Sequence, residues 1–520
     1  MPGTPYPLGP FREGMNNIAE ESTVEDTQVA LALNLELDTD SSYKSRPAII
    51  PDAETPVSGQ NVTVLGYYVT TANATYLVCT TNSATWLYDI GAKTYAQIWE
   101  TRASGFTQYD NKVVLISTSS AGGYWEAGTF TATPTMPQGE NIVLYQDRLW
   151  AYGARGTANQ NRVWFSNITT AGSSPTTIWT WTTATDFFEV KKGDGEWITH
   201  MVADTNALLI FRNRSTFRFT YPTSPFSGTL FEQNPTLGAD NRWSVVPYES
   251  YYLVFSQGFL YQFINFQFYP LNTARIEFRP AATAAQVISG REIMVSVFGT
   301  RCIVWYYGST FVYDIVSGTW SMWDSPVSRA AYFLQVPPTS LTGTTRTALA
   351  VHGLNSNAAG RRGVWRIIDD VLPAGGPSEA IPCVLRTKSY AFDDAAQYKR
   401  MFYWTMEVRT ANGARGVAYP SAITTDGVTW DDMSLVTWDV LSEGSWDNPL
   451  IITPMYESDV SFPTSSPVRA LIKCLQDSRL LRMYYEVYLE CDGTTRTAPV
   501  RVYSITPYVR VKGSVSKQVS

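Results

Sequence analysis

Residues 85–99 read TWLYDIGAKTYAQIW, and residues 309–323 read STFVYDIVSGTWSMW. Both run an aromatic strand into Tyr-Asp-Ile, turn at Gly91 or at Ser317-Gly318, and leave through a second aromatic strand. Aromatic and β-branched residues suit a pleated, half-buried surface, and an Asp at the strand end caps backbone donors in the turn beside it. The phrase therefore predicts the two outer strands of an antiparallel unit. NVTVLGYYVTT (61–71) and TYLVCTT (75–81) precede the first copy and bring that unit to four strands.

Working outward, the same grammar fills residues 60–370. NKVVLIST (111–118), NIVLYQDRLWAYG (141–153) with NRVWFSN (161–167), WITHMVADTNALLIFRNRSTFRFT (197–220), WSVVPYESYYLVFSQGFLYQF (243–263) and VISGREIMVSVFG (287–299) pair apolar strands with polar turns. Gln146-Asp147, Asn213-Arg214 and Ser256-Gln257-Gly258 are such turns. About six or seven four-stranded sheets fit this span, which predicts a β-propeller ahead of a series of stacked sandwiches. The expected fold class is all-β throughout.

The character changes near residue 376. A Pro/Gly linker, LPAGGPSEAIP (372–382), leads to longer strands such as YKRMFYWTMEVRT (398–410), LLRMYYEVYLEC (480–491) and VRVYSITPYVRVKG (500–513), the pattern of a β-sandwich-like platform domain. The expected organisation is an extended N-terminal arm over 1–55, a propeller over 56–371, a linker over 372–382 and the platform over 383–520. Within the arm, ESTVEDTQVALALNL (21–35) predicts a short helix, with Val24, Val29, Leu31 and Leu33 loosely periodic.

The chain has 520 residues, of which 44% are hydrophobic, 14% aromatic and only 16% charged, with a net charge of −7. This composition excludes intrinsic disorder, and the scarcity of charge leaves Thr, Ser, Asn and Gln to cover the surface. No run is long and apolar enough to span a bilayer, and MPGTPYPLGPFREGMNN lacks the basic start and apolar stretch of a signal peptide. Five scattered cysteines do not outline a disulfide framework, and two histidines without CxxC or HExxH argue against zinc.

Candidate chemistry is sparse. Asp38 and Asp40 in LDTDSSYKSRP lack the glycine and distal glutamate of a calcium loop and read as a solvated turn. Asp369-Asp370 reads the same way, and Asp393-Asp394 and Asp431-Asp432 are weak candidates for a paired-carboxylate glycosidase. Asp426-Gly427 reads as a hairpin turn, and His200 as a structural histidine. Trp125, Trp179, Trp181, Trp430 and Trp446 lie in loop-like surroundings, where they either pack between sheets or stack on sugar rings. Basic residues gather only at Lys191-Lys192, Arg361-Arg362 and the strand with Arg501, Arg510 and Lys512, so sequence-specific nucleic-acid binding is not expected. No catalytic, cofactor or metal residues are assigned, and the reading is that of a protein that is not an enzyme.

Several ordered phrases carry a resemblance. PFREGMNN (10–17) followed by ALALNLELDTDSSYKSRPAI (30–49) resembles the beginning shared by many bacteriophage tail proteins. NIVLYQDRLWAYG, NRVWFSN, DFFEVKKGDGEWITHMVADTNALLIFRNRSTFRF (186–219), YYLVFSQGFLYQF, LRTKSYAF, YKRMFYW and VRVYSITPYVRVKG extend the likeness. The family is that of tail tubular or nozzle proteins of short-tailed phages, with related tail hub and stabilisation proteins. The resemblance implies a virion tail component with six copies in a ring around the DNA channel. Its implied partners are adaptor and portal proteins, tail fibres or a spike, and double-stranded DNA that is retained before infection and conducted at ejection. The acidic net charge and low charge density suit a phosphate-repelling duct with large subunit contacts. The alternative reading is a glycan-binding or glycan-cleaving β-propeller.

Overall fold

The computed structural model describes residues 4–514 apart from 9–10, 19–23, 55, 58–59, 61, 168–179, 222–223, 272–275, 280–292, 324–331, 336–347, 352–362, 369–380, 389, 391–396, 410–413, 422–452, 456–467, 474–481 and 492–500. Among the described residues the architecture is all-β, built largely from repeated four-stranded antiparallel sheets.

Five of these are simple meanders. Sheet I comprises Thr63–Val69, Thr75–Thr80, Thr85–Asp89 and Thr94–Trp99, and sheet II comprises Gly105–Tyr109, Lys112–Ile116, Gly123–Glu126 and Thr129–Ala132. Sheet III runs Asn141–Tyr145, Arg148–Tyr152, Arg162–Phe165 and Phe187–Glu189, and sheet IV runs Ile198–Ala203, Leu208–Arg212, Thr216–Thr220 and Thr229–Asn234. Sheet V holds Val245–Tyr248, Tyr251–Ser256, Phe259–Ile264 and Gln267–Pro270. A sixth set, sheet VI, holds Ile293–Phe298, Arg301–Tyr306, Ser309–Asp314 and Thr319–Trp323.

The turns explain why these strands pair in this register. Gln146 and Asp147 both have positive φ (47° and 56°) and link Tyr145 directly to Arg148, and Gln257 and Gly258 (51° and 82°) do the same between Ser256 and Phe259. Two consecutive left-handed residues make the tight hairpin whose twist matches that of the flanking strands. At the quoted repeat, Asp89 Oδ1 accepts from the N–H groups of Gly91 and Ala92, and Asp314 Oδ1 accepts from those of Val316 and Ser317. The capping expected from the sequence is thus present in both copies.

A seventh four-stranded set, sheet VII, is assembled from both ends of the span. Tyr332–Gln335, Ala348–Val351 and Gly363–Ile368 form three strands, and Ala48–Glu54 supplies the fourth by pairing with Gly363–Ile368. One parallel residue pair, Val297 with Leu334, continues the hydrogen bonding from sheet VI into sheet VII.

Side chains between sheets follow a strict logic. In sheet II, Val113 and Leu115 pack toward sheet I while Val114 and Ile116 pack toward sheet III. In sheet IV, Leu208 and Ile210 join the sheet III cluster, whereas Leu209 and Phe211 join the sheet V cluster. Strands covered on both faces need no polar alternation, which is why LLIF and VVLI are continuous apolar runs. Cys302 and Val304 face sheet V, and Ile303 faces Trp365 and Ile367 of sheet VII. Val364 of sheet VII then packs with Val64, Leu77, Cys79 and Tyr88 of sheet I. The same junction carries a Tyr88 hydroxyl bond to Asp52 Oδ2 (2.6 Å) and a Lys93–Asp52 ion pair (3.3 Å).

The expected helix over 21–35 is not formed: Leu31–Leu33 and Leu35–Leu37 are strands. The run ALALNLEL alternates with period two, and this strand signal outweighs the loose helical spacing. Asn34, at φ 56°, breaks the run and hands the chain from one sheet to another. Leu31–Leu33 pairs with Ile381–Arg386, which continues through Arg482–Cys491 and Ala414–Ser421 to Thr453–Met455. Leu35–Leu37 instead pairs with Tyr43–Ser45, in a sheet that proceeds through Arg501–Ser514 and Gln397–Arg409 to Val468–Lys473. Buried Arg46 fixes the switch by donating to Asn34 Oδ1 (2.9 Å) and to the Pro47 carbonyl (2.8 Å). Glu36 ties the arm to sheet VI, accepting from Arg301 Nε (3.0 Å) and Trp323 Nε1 (3.1 Å).

Candidate binding pocket

The first strands of sheets I to V meet around one cavity of about 100 Å³. Leu65, Phe106, Asn141, His200 and Val245 each come from the first strand of a different sheet, and Arg242 and Trp243 enter from the segment leading into sheet V. That volume holds several waters or the end of a small polar molecule.

Local backbone features aim these side chains. The register shifts between Val64 and Gly66 and again between Ile198 and His200, so Leu65 and Thr199 are the extra residues of two bulges. A bulge re-aims the following side chains, which is how a strand dedicated to inter-sheet packing presents Leu65 and His200 to the cavity. Close approach depends on two glycines. A Cβ on Gly66 would fall 2.6 Å from the Phe106 ring, and one on Gly105 would collide with Asn141 Oδ1.

Arg242 is the positional anchor. Its Nη1 donates to the backbone carbonyls of Ser104 and Glu140, the latter at 3.1 Å, so one guanidinium nitrogen stitches the entries of sheets II and III. Glu140 Oε1 lies 3.8 Å from the same nitrogen, and the guanidinium carbon sits 4.6 Å from the centroid of the Trp243 ring. Nε and Nη2 keep their donor capacity. His200 lines the same cavity, and its Nδ1 is buried with no hydrogen-bond partner among the described residues. Desolvation, then the Arg242 charge, pulls its pKa down to about 4, with the Arg242 backbone carbonyl opposing; the ring is therefore neutral at pH 7. Asn141 adds an amide that both donates and accepts.

The cavity thus offers uncommitted donors on Arg242, a donor–acceptor pair on Asn141, the neutral His200 ring and the apolar surfaces of Trp243, Phe106 and Leu65. Among the described residues that line it there is no carboxylate, and the nearest to Arg242 is that of Glu140 at 3.8 Å from Nη1. The cavity can bind a polar molecule, and it lacks the acid pair that glycoside cleavage requires.

The residues singled out from sequence are placed elsewhere. Asp38 pairs with Lys44 (3.5 Å) and Arg501 (2.6 Å), and Asp40 accepts from the Ser42 N–H (2.9 Å) and from Arg501 (2.9 Å). Burial works against the charge on both carboxylates. Hydrogen bonds from Thr39 to Asp38 and from Ser42 to Asp40, with the Arg501 charge, outweigh it and hold both pKa values down. Both are committed to a turn and an ion pair, and no cluster of three His, Cys, Asp or Glu suited to a metal exists among the described residues. Lys191 and Lys192 pair with Glu232 and Glu189. Trp125 is half-buried edge-on to Tyr68, with centroids 6.3 Å apart, and Trp181 is buried in the cluster between sheets II and III. These two are packing residues and do not form a sugar platform. Trp179, Trp430, Trp446, Arg361-Arg362, Asp369-Asp370, Asp393-Asp394, Asp426-Gly427 and Asp431-Asp432 lie outside the described residues. Arg242 and Asn141 were missed from sequence; His200 is desolvated and hydrogen-bonds the Arg242 backbone.

No family model matches the chain, and no curated protein matches it. Solved structures with some likeness include the computationally designed protein Ika8, at 10% identity over 69% of this chain and 99% of that one, with a TM-score of 0.35. An extracellular domain from B. thetaiotaomicron matches at 12% identity over 70% of this chain and 45% of that one, TM-score 0.38. BamB from Moraxella catarrhalis matches at 12% identity over 62% of this chain and 99% of that one, TM-score 0.38. The chain thus spans less than half the length of the B. thetaiotaomicron domain. Likeness at this level carries no argument about function.

These findings correct the tail-protein resemblance. The matches above, like that to the WD40 repeats of RRP9, are not to tail proteins. The tail tube, nozzle and genome-conduction roles drawn from it are withdrawn. The physical reason lies in the phrases themselves. NIVLYQDRLWAYG is the first hairpin of sheet III, and YYLVFSQGFLYQF is the central hairpin of sheet V. PFREGMNN places Phe11 and Met15 in a core cluster. Each phrase records strand pairing and packing that any protein of repeated four-stranded sheets needs.

Proposed function

We propose that the seven four-stranded sheets close into a β-propeller with sheet VII sealing the ring, that the two C-terminal sheets pack on it as a sandwich-like platform, and that the axial pocket binds a small polyhydroxylated ligand without transforming it. The observation that carries this reading is the convergence of five successive first strands on one polar cavity. Clusters bridging each consecutive pair of sheets, with Val364 and Asp52 bridging VII to I, support the closure. Hydroxyl groups both donate and accept, and so match the donors and acceptor presented by Arg242 and Asn141 over an aromatic floor. The alternative drawn from sequence, a glycan-binding propeller, is retained in this form, with the sugar-like ligand at the axis and not on a tryptophan rim.

Saturation-transfer NMR on the full chain with glycerol, D-glucose and D-glycerate tests the reading. Saturable transfer to at least one probe is expected, and Val245→Phe, which fills the cavity, abolishes it. Transfer to none of the three, or transfer unaffected by V245F in a protein with wild-type melting, overturns it.

A further inference from the structure

Arg242 is held by one nitrogen only. Nη1 is engaged with two backbone carbonyls, which locks the guanidinium in place and leaves the Nε and Nη2 donors to the cavity. A rigid guanidinium with two adjacent donors matches the two oxygens of a carboxylate better than it matches a single hydroxyl. Asn141 lies on the same cavity wall and adds an amide donor. Cavity size limits the inserted part to a few heavy atoms.

Resting on the pocket reading above, we propose that the axial pocket takes the acidic end of a small carboxylate-bearing molecule, with its carboxylate on Arg242 and Asn141. The other charged group at the site is Glu140, whose carboxylate is 3.8 Å from Arg242 Nη1 and one-third exposed. It competes with an acidic ligand for the same positive charge. Removing that competition is therefore a probe of the ligand's charge, and Glu140 contributes its backbone carbonyl to Arg242 whatever its side chain.

Calorimetric titration of the full chain at pH 7 with D-glycerate, glycerol and acetate separates the contributions, since D-glycerate carries both groups and each control carries one. D-glycerate and acetate are each expected to bind about ten-fold or more tighter than glycerol. Glu140→Gln should tighten D-glycerate several-fold and leave glycerol unchanged. Asn141→Asp, nearly isosteric, should weaken D-glycerate by about ten-fold or more through like-charge repulsion, with an unchanged melting temperature showing that the fold is intact. Equal binding of glycerol and D-glycerate, or no response to E140Q, overturns the carboxylate assignment and leaves the pocket reading standing. Absence of binding by all three probes overturns both.

Discussion

Sheets I to VI and sheet VII have the same strand count and meander order, yet they are made in opposite ways. Each of the first six is a continuous stretch of chain whose neighbours are two to about twenty residues apart in most hairpins, with turns specified on the spot by pairs such as Gln146-Asp147. Sheet VII takes its outer strand, Ala48–Glu54, from the far end of the chain and pairs it with Gly363–Ile368. The same arm then supplies Leu31–Leu33 and Leu35–Leu37 to the two C-terminal sheets. Local sheets can form early and independently, whereas a strand pairing across some three hundred residues forms only once the intervening units are in place. The cost of that closure grows slowly with loop length, so a long-range strand is a workable latch.

This contrast can be broken most severely at the latch. Deleting residues 1–55 removes Ala48–Glu54 and the strands donated to both C-terminal sheets, and is expected to abolish cooperative folding of the whole chain; a single sharp transition by calorimetry would count against the latch. Within the local region, Trp150→Ala empties a fully buried site between sheets III and IV and should cost about 3–5 kcal/mol. Urea unfolding of the variant measures this directly, with the loss concentrated in sheets III and IV by hydrogen exchange.

A pH test addresses the pocket that the local sheets enclose. His200 has its pKa pulled from 6.5 to about 4, so the unfolded chain takes up a proton before the folded protein does. Stability is complete above pH 6.5 and falls as pH drops toward 4, by up to about 3 kcal/mol for this group. Asp194 and Glu189, whose pKa values are held down by hydrogen bonds from Arg212 and from Lys192 and Arg162, lose their contributions only at more acid pH. His200→Gln is expected to flatten the profile between pH 6.5 and 4, and an unaltered slope there would show that the ring is not held neutral.

Smaller effects discriminate the junction from an ordinary hairpin. Asp52→Ala leaves the Tyr88 hydroxyl and Lys93 without their shared partner and should cost about 2 kcal/mol. Asp314→Ala removes two turn caps from sheet VI and should cost about 1 kcal/mol. If chemical denaturation ranks these in reverse, the VII–I junction is not where stability is concentrated.

What was legible in the sequence follows the same division. The Tyr-Asp-Ile turn, the apolar runs and the left-handed turn pairs are short-range signals, and each names its own partner a few residues away. Ala48–Glu54 has no such signal, because nothing in AIIPDAE points to Gly363–Ile368. Within the extended arm the sequence predicts a short helix over 21–35 although ALALNLEL alternates, since the leucines of a weakly periodic window mimic a helical face. The pocket was hidden for another reason: Asn141, His200 and Arg242 are far apart in sequence, and the bulges at Leu65 and Thr199 that help present Leu65 and His200 are invisible without pairing. The resemblance to tail proteins failed in part because phrases such as NIVLYQDRLWAYG and YYLVFSQGFLYQF report hairpin pairing within a four-stranded unit.

The most direct test of the account is native-state amide hydrogen exchange on the full chain, read at Ala48–Glu54 against Gly363–Ile368. Pairing in sheet VII predicts that the two strands exchange with matched protection and lose it together when Asp52 is replaced. Free exchange of residues 48–54 in a protein whose sheets I to VI remain protected would contradict the closure, and with it the placement of the pocket on a propeller axis.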